Sequence, residues 1–128
     1  MRYSKLSRKV AITFFCLIPF QVVRVIDGDT IKGLARPWPG IVAEVSLRIR
    51  GIDTPEIRGK CLEEKALANA AKTYLEFLLP TDNIVVVRNI KRGKYAGRVI
   101  GDIPMIRDAM ISAGYARKYS GGKRKPWC

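Results

Sequence analysis

Four of the eleven carboxylates in this 128-residue chain stand in two short turns: Asp27 and Asp29 in Asp-Gly-Asp-Thr, and Asp53 and Glu56 in Asp-Thr-Pro-Glu. Against 24 Lys and Arg, that is a concentrated use of scarce negative charge. Each turn follows an alternating apolar run, Gln-Val-Val-Arg-Val-Ile at 21–26 and Val-Ser-Leu-Arg-Ile at 45–49, and so reads as the end of a β-strand. Two strand ends can converge. Carboxylates brought together in this way repel unless a cation lies among them, and oxygen ligands of this kind suit a hard divalent ion such as calcium or magnesium.

The elements that must position these groups are legible from periodicity. Two strands flank the first acidic turn over 21–34, and a loop with two prolines and a glycine follows at 36–40. The third strand is expected over 41–52, where Val45, Leu47 and Ile49 alternate with Ser46, Arg48 and Arg50. Both arginines then share one face, the place to look for a phosphate. A helix is predicted over 62–79, with Leu62, Ala66, Leu67, Ala70, Ala71, Tyr74, Leu75 and Leu78 as its packing stripe and Pro80 as its stop. Short strands are expected at 84–90 and 98–103, separated by the basic turn Lys-Arg-Gly-Lys-Tyr-Ala-Gly, and a short helix at 106–113 ends at Gly114. The tail from 115 to 128 is basic, glycine-containing and aromatic.

A net charge of +13 points to a polyanionic partner, because Lys and Arg that neutralise phosphates release condensed counterions. Nucleic acid is the first reading, and a membrane surface or an anionic glycan is the other. The chain has no histidine, which excludes mechanisms that need imidazole as acid, base or metal ligand. Its length fits one domain.

The runs Ile-Asp-Gly-Asp-Thr and Arg-Ile-Arg-Gly-Ile-Asp-Thr-Pro-Glu, followed by Lys-Tyr-Ala-Gly-Arg at 94–98, resemble the staphylococcal nuclease (thermonuclease) family over about residues 22–119. The resemblance implies a mainly β, α+β fold: a five-stranded OB-type barrel with one long and one short helix. It also implies calcium-dependent hydrolysis of phosphodiesters in DNA and RNA, with one calcium ion, low sequence specificity and a monomeric enzyme; single-stranded substrate is the expected preference. By the same resemblance Asp29, Asp53 and the Thr54 carbonyl are the metal ligands, Asp27 acts through a water, and Glu56 is the general base. Arg48 and Arg98 are the arginines whose forked donors suit the transition-state oxygens. Lys94, Tyr95 and Tyr119 are expected to contact the nucleotide, since aromatic stacking tolerates any base. The chain departs from the family's usual Asp-Lys-Tyr-Gly-Arg in one place: the aspartate is missing and one extra residue precedes Arg98. That departure keeps open a different class of function, a nucleic-acid-binding module without turnover.

At the N-terminus, four basic residues within 1–9 precede an apolar run at 10–20, the n-region and h-region of a secretory signal, although no small-x-small cleavage site follows. The run is too short to span a bilayer, which needs roughly 20 residues. The expected organisation is therefore a signal or apolar segment at 1–20 and the nuclease-like domain at 21–128, with a secreted or periplasmic protein. The competing reading is a long first strand over 14–26 in a cytoplasmic protein, with Pro19 at an edge or bulge. If the segment is removed, Cys16 goes with it, and Cys61 and Cys128 remain as an even pair that could tie the tail to the first helix.

Overall fold

The computed structural model describes residues 17–128. Their strands are β1 (Leu17–Asp27), β2 (Thr30–Trp38), β3 (Ile41–Ile49), β4 (Ile52–Asp53), β5 (Ile84–Arg92), β6 (Arg98–Asp102) and β7 (Arg117–Lys118), and their helices are α1 (Leu62–Leu78) and α2 (Pro104–Ser112). Five strands close a barrel in the order β1-β2-β3-β6-β5, in which only β3 and β6 run parallel. This is the expected five-stranded OB-like α+β architecture with one long and one short helix. None of the helices described is long and apolar enough to cross a membrane.

Alternation builds the core. Ile31, Leu47, Ile49, Val85 and Val87 point inward from β2, β3 and β5, while Lys32, Arg48, Val86 and Arg88 take the opposite face. Phe20 is fully buried among them and pairs with Ala35 on β2 and Val85 on β5. The barrel therefore takes in residues 17–20, the stretch that the signal-segment and first-strand expectations both claim. Pro19 pairs with Val86 of β5 but lies beyond the first β1–β2 pair, so its missing N–H removes nothing from the β2 ladder. Residues 1–16, including Cys16, lie outside the described residues.

Two sequence expectations need correcting. The buried face of α1 carries Glu64, Ala68, Ala71 and Leu75, whereas Leu62 is 80% exposed and Leu67 is 42% exposed. The stripe is rotated at its N-terminal end because the Glu64 carboxylate accepts the backbone N–H groups of Glu56 and Lys60, each at 3.1 Å, and is drawn inward with that loop. The arginine face also divides. β3 ends at Ile49, and Arg50 turns away to ion-pair with Asp102 at 2.7 Å and to donate to the Asn89 carbonyl at 2.9 Å. Arg50 is a brace between barrel strands, and of the two only Arg48 stays on the face where the sequence places a phosphate.

The chain returns to the neighbourhood of the second acidic turn twice more after the barrel is complete. β7 pairs antiparallel with β4, Ile52 against Lys118 and Asp53 against Arg117, and the Tyr119 N–H donates to the Gly51 carbonyl at 2.9 Å. Beyond β7, a disulfide joins Cys128 to Cys61, the N-cap residue of α1. The tail is thus laid over the acidic turn and held at both ends.

Candidate nucleic-acid and metal site

The two acidic turns meet. The Ile57 N–H donates to Asp27 Oδ1 at 3.2 Å, and Asp29 contributes its carbonyl to the Ile49 N–H at 2.8 Å. Between them Gly28 packs so closely that a Cβ there would stand 2.9 Å from the Ala71 Cβ and 3.2 Å from the Thr54 Cγ2. A side chain at that position would pry the first turn away from both α1 and the second turn.

Asp29, Asp53 and Thr54 are buried, a costly placement for charge unless a cation compensates. Burial pushes the Asp29 carboxyl above its ordinary value, and the nearby Arg48 guanidinium, 3.5 Å from Oδ2, pulls against that. The Thr54 hydroxyl is buried without a hydrogen-bond partner among the described residues. Asp27, Asp29 and Asp53 do not draw together as a three-acid cluster. Among the described residues the one group of three side chains of metal-binding type drawn together is Cys61, Glu64 and Cys128, and its sulfurs are committed to the disulfide.

The register explains how the two arginines come to one face. Cross-strand partners share a face, and Ser46 pairs with Arg98 while Arg48 pairs with Ile100. Ser46 and Arg48 are two apart on β3, so Arg98 stands on Arg48's side, one step along the neighbouring strand. The extra residue before Arg98 is absorbed in the turn: Gly97 takes a φ of +77°, its carbonyl accepts the Ser46 N–H at 2.9 Å, and Arg98 enters β6 in register. A cavity of about 440 Å³ opens over this face, lined by Arg48, Arg98, Lys94, Tyr95 and Tyr119 along with Asp27. The Arg48 guanidinium lies 5.5 Å from the Tyr119 ring centroid and that of Arg98 5.2 Å from the Tyr95 ring. Glu56 lies outside this cavity, in a separate groove with Arg58, Lys60, Lys123 and Lys125 that shares no lining residue with it.

One residue at the centre of the site escaped the sequence reading. Arg124 Nε donates to Asp53 Oδ1 at 2.6 Å, Nη2 to the Thr54 carbonyl at 3.2 Å, and Nη1 to Glu56 Oε1. The Trp127 indole N–H takes the other Asp53 oxygen at 3.1 Å. Although partial burial works against its charge, the Glu56 and Asp53 carboxylates hold the Arg124 proton more tightly than usual. The signal that could have found this contact is the cysteine pair: a bond from Cys128 to Cys61 returns the tail to within a few residues of Glu56.

The family model described as SNase, staphylococcal nuclease homologue, matches residues 46–126, well over half of the 128. The chain belongs to the staphylococcal nuclease homologue family. The matched span takes in the second acidic turn, Arg48, Glu56, the 93–98 loop and the tail with Arg124, and it begins after the first acidic turn. No curated protein matches the chain. Family membership suggests a nuclease-like or nucleic-acid-binding function.

Proposed function

We propose that this staphylococcal nuclease homologue is a calcium-dependent nuclease that hydrolyses phosphodiesters of DNA and RNA with little sequence specificity. The observation that carries the reading is the shared face of Arg48 and Arg98 in an open cavity, with Arg48 reaching back to the buried Asp29 carboxylate.

The donor set fits a hard cation. Asp29, Asp53 and the Thr54 carbonyl offer oxygens only, and the Arg124 guanidinium on Asp53 and Thr54 is a stand-in positive charge at that place. When bound, calcium would supply charge stabilisation to the phosphoryl oxygens. The rest is the work of side chains. Arg48 and Arg98 hold the non-bridging oxygens with paired N–H donors, and their charge counters the excess that builds up as the nucleophile adds. Glu56 takes the proton of the attacking water; the water oxygen bonds to phosphorus, the bond from phosphorus to the leaving sugar oxygen breaks, and that oxygen is reprotonated from solvent. Lys94 reaches a neighbouring phosphate, while Tyr95 and Tyr119 give bases a stacking surface.

The Cys61–Cys128 disulfide supports a secreted or periplasmic location. Any processing that leaves the core intact must cut before Phe20, which is fully buried.

A second reading has its own support. Glu56 is ion-paired with Arg124, which favours a nucleic-acid-binding module in which no base is free. Incubating the purified protein with single-stranded DNA, duplex DNA and RNA, in calcium, magnesium or chelator, separates the two. Calcium-dependent degradation supports the nuclease, and retention of the strand without cleavage selects the binding module.

A further inference from the structure

The C-terminal tail satisfies the groups that a divalent ion would need. Both Asp53 oxygens are taken, one by Arg124 and one by Trp127, and the Thr54 carbonyl is taken by Arg124. The same guanidinium also occupies Glu56, the expected proton acceptor. A second cation placed on these oxygens would meet a like charge at contact distance, so the two occupants compete for them.

The tail is built to stay there. Arg117 of β7 donates to the Lys125 and Pro126 carbonyls at 3.4 and 3.2 Å, and its guanidinium stacks 3.7 Å from the Trp127 ring centroid. The disulfide then fixes Cys128 to the start of α1, eight residues beyond Thr54's neighbour Asp53 in chain order. These restraints give Arg124 a high effective concentration at the acidic turn.

We infer that Arg124 is a tethered internal cation that competes with a divalent ion for Asp53 and the Thr54 carbonyl, and that the tail is an autoinhibitory strap whose hold is strengthened by the Cys61–Cys128 bond. This rests on the calcium reading above. Calcium binds only molecules whose tail has lifted, and lifting frees Glu56 in the same movement. Apparent calcium affinity is therefore reduced by the fraction of molecules with the tail raised. Reduction of the disulfide leaves the Arg117 and Trp127 contacts in place, so it weakens the strap without abolishing it.

The test is isothermal titration of the full-length, disulfide-intact protein with calcium chloride, with far-UV circular dichroism as the check on folding. Arg124→Gln is expected to bind calcium roughly three- to thirtyfold more tightly than the parent, the range set by the loss of a partly exposed multi-carboxylate arginine contact. Arg124→Lys, which keeps the charge without the fork, is expected to fall between the two. Cys128→Ser should show a smaller gain in the same direction. In a Trp38→Phe background, where Trp127 is the remaining tryptophan, calcium should shift its emission to the red, and at lower calcium when Arg124 is Gln. If the parent binds calcium and no variant binds it more tightly, the strap is refuted while the calcium reading stands. If neither parent nor variants bind calcium, both fall. Should Arg124→Gln lose its fold, the lysine and serine variants decide: a gain in either supports the strap, and no gain overturns it.

Discussion

Arg48 stands 3.5 Å from the Asp29 carboxylate and, in the same side chain, donates to the Ile52 carbonyl at 3.3 Å. One guanidinium therefore links the first acidic turn to the strand that carries Asp53, while its exposed edge faces the cavity shared with Arg98. The predicted chemistry depends on that linkage, and its parts can be tested separately.

Glu56 and Asp53 should fail in different ways when neutralised. Glu56→Gln keeps shape and a carbonyl acceptor but cannot take a proton, so nucleic-acid binding should persist while turnover drops about 10²–10⁴-fold. Asp53→Asn should lose calcium affinity and activity together, because a hard-cation site depends on ligand charge. Calcium binding, DNA binding and cleavage rate measured on all three proteins check this. A Glu56→Gln protein that cleaves like the parent would remove Glu56 from the base role.

Register makes the basic loop's contribution specific to single residues. Lys91 pairs with Ile100, the β6 partner of Arg48, whereas Arg92 pairs with Val99, the partner of the buried Leu47. Lys91 is thus on the Arg48 face and Arg92 on the Leu47 face, while Lys94 lines the cavity. Lys91→Gln and Lys94→Gln should each reduce the salt slope of DNA affinity by about 1, and Arg92→Gln should leave it unchanged. Binding titrations over a range of salt decide it, and an unchanged slope in Lys94→Gln would contradict the cavity as the path of the strand.

Glu64 should make the acidic turn sensitive to acid. The Glu56 and Lys60 N–H groups hold its carboxyl below the ordinary value of 4.5. A depressed carboxyl stabilises the fold above its unfolded value, and that stability is lost as pH falls below 4.5 through the folded value. Denaturant titrations at neutral and acid pH should therefore show a loss on acidification that is smaller in Glu64→Gln. An equal loss in both proteins would assign the acid response to other groups.

The disulfide closes a loop between residues 67 apart in sequence. Cys128→Ser should lower unfolding free energy by about 2–4 kcal/mol in urea, the usual range for such a crosslink. Mass spectrometry of exported protein, with and without reductant, should find no free thiol at Cys61 or Cys128 and an N-terminus that retains the buried Phe20. Two free thiols would count against both the crosslink and the oxidising compartment.

What the sequence determined by itself is local. The inward set of Val45, Leu47 and Ile49 follows from strand periodicity, and Pro80 terminates the long helix within a residue of its expected end. The acidic turns were legible because Asp-Gly-Asp and Asp-Thr-Pro-Glu follow strands directly, and a strand's exit is set by the residues beside it. Tertiary structure decided everything that depends on a partner far along the chain. Periodicity alone puts Leu62 and Leu67 inside, but Glu64 is the residue buried at that end of the helix, because two loop N–H groups reach it. Arg48 and Arg50 have the same alternation, and only the position of Asp102 separates them. Arg98 joins Arg48 through a parallel pairing that no window around either residue encodes. Arg124 lies 71 residues from Asp53 in sequence, and its charge reads as one more solvated cation in a basic tail until β7 and the disulfide bring it onto the carboxylate. Ion pairs act through distance in space, and for residues this far apart that distance is set only when the chain has closed upon itself.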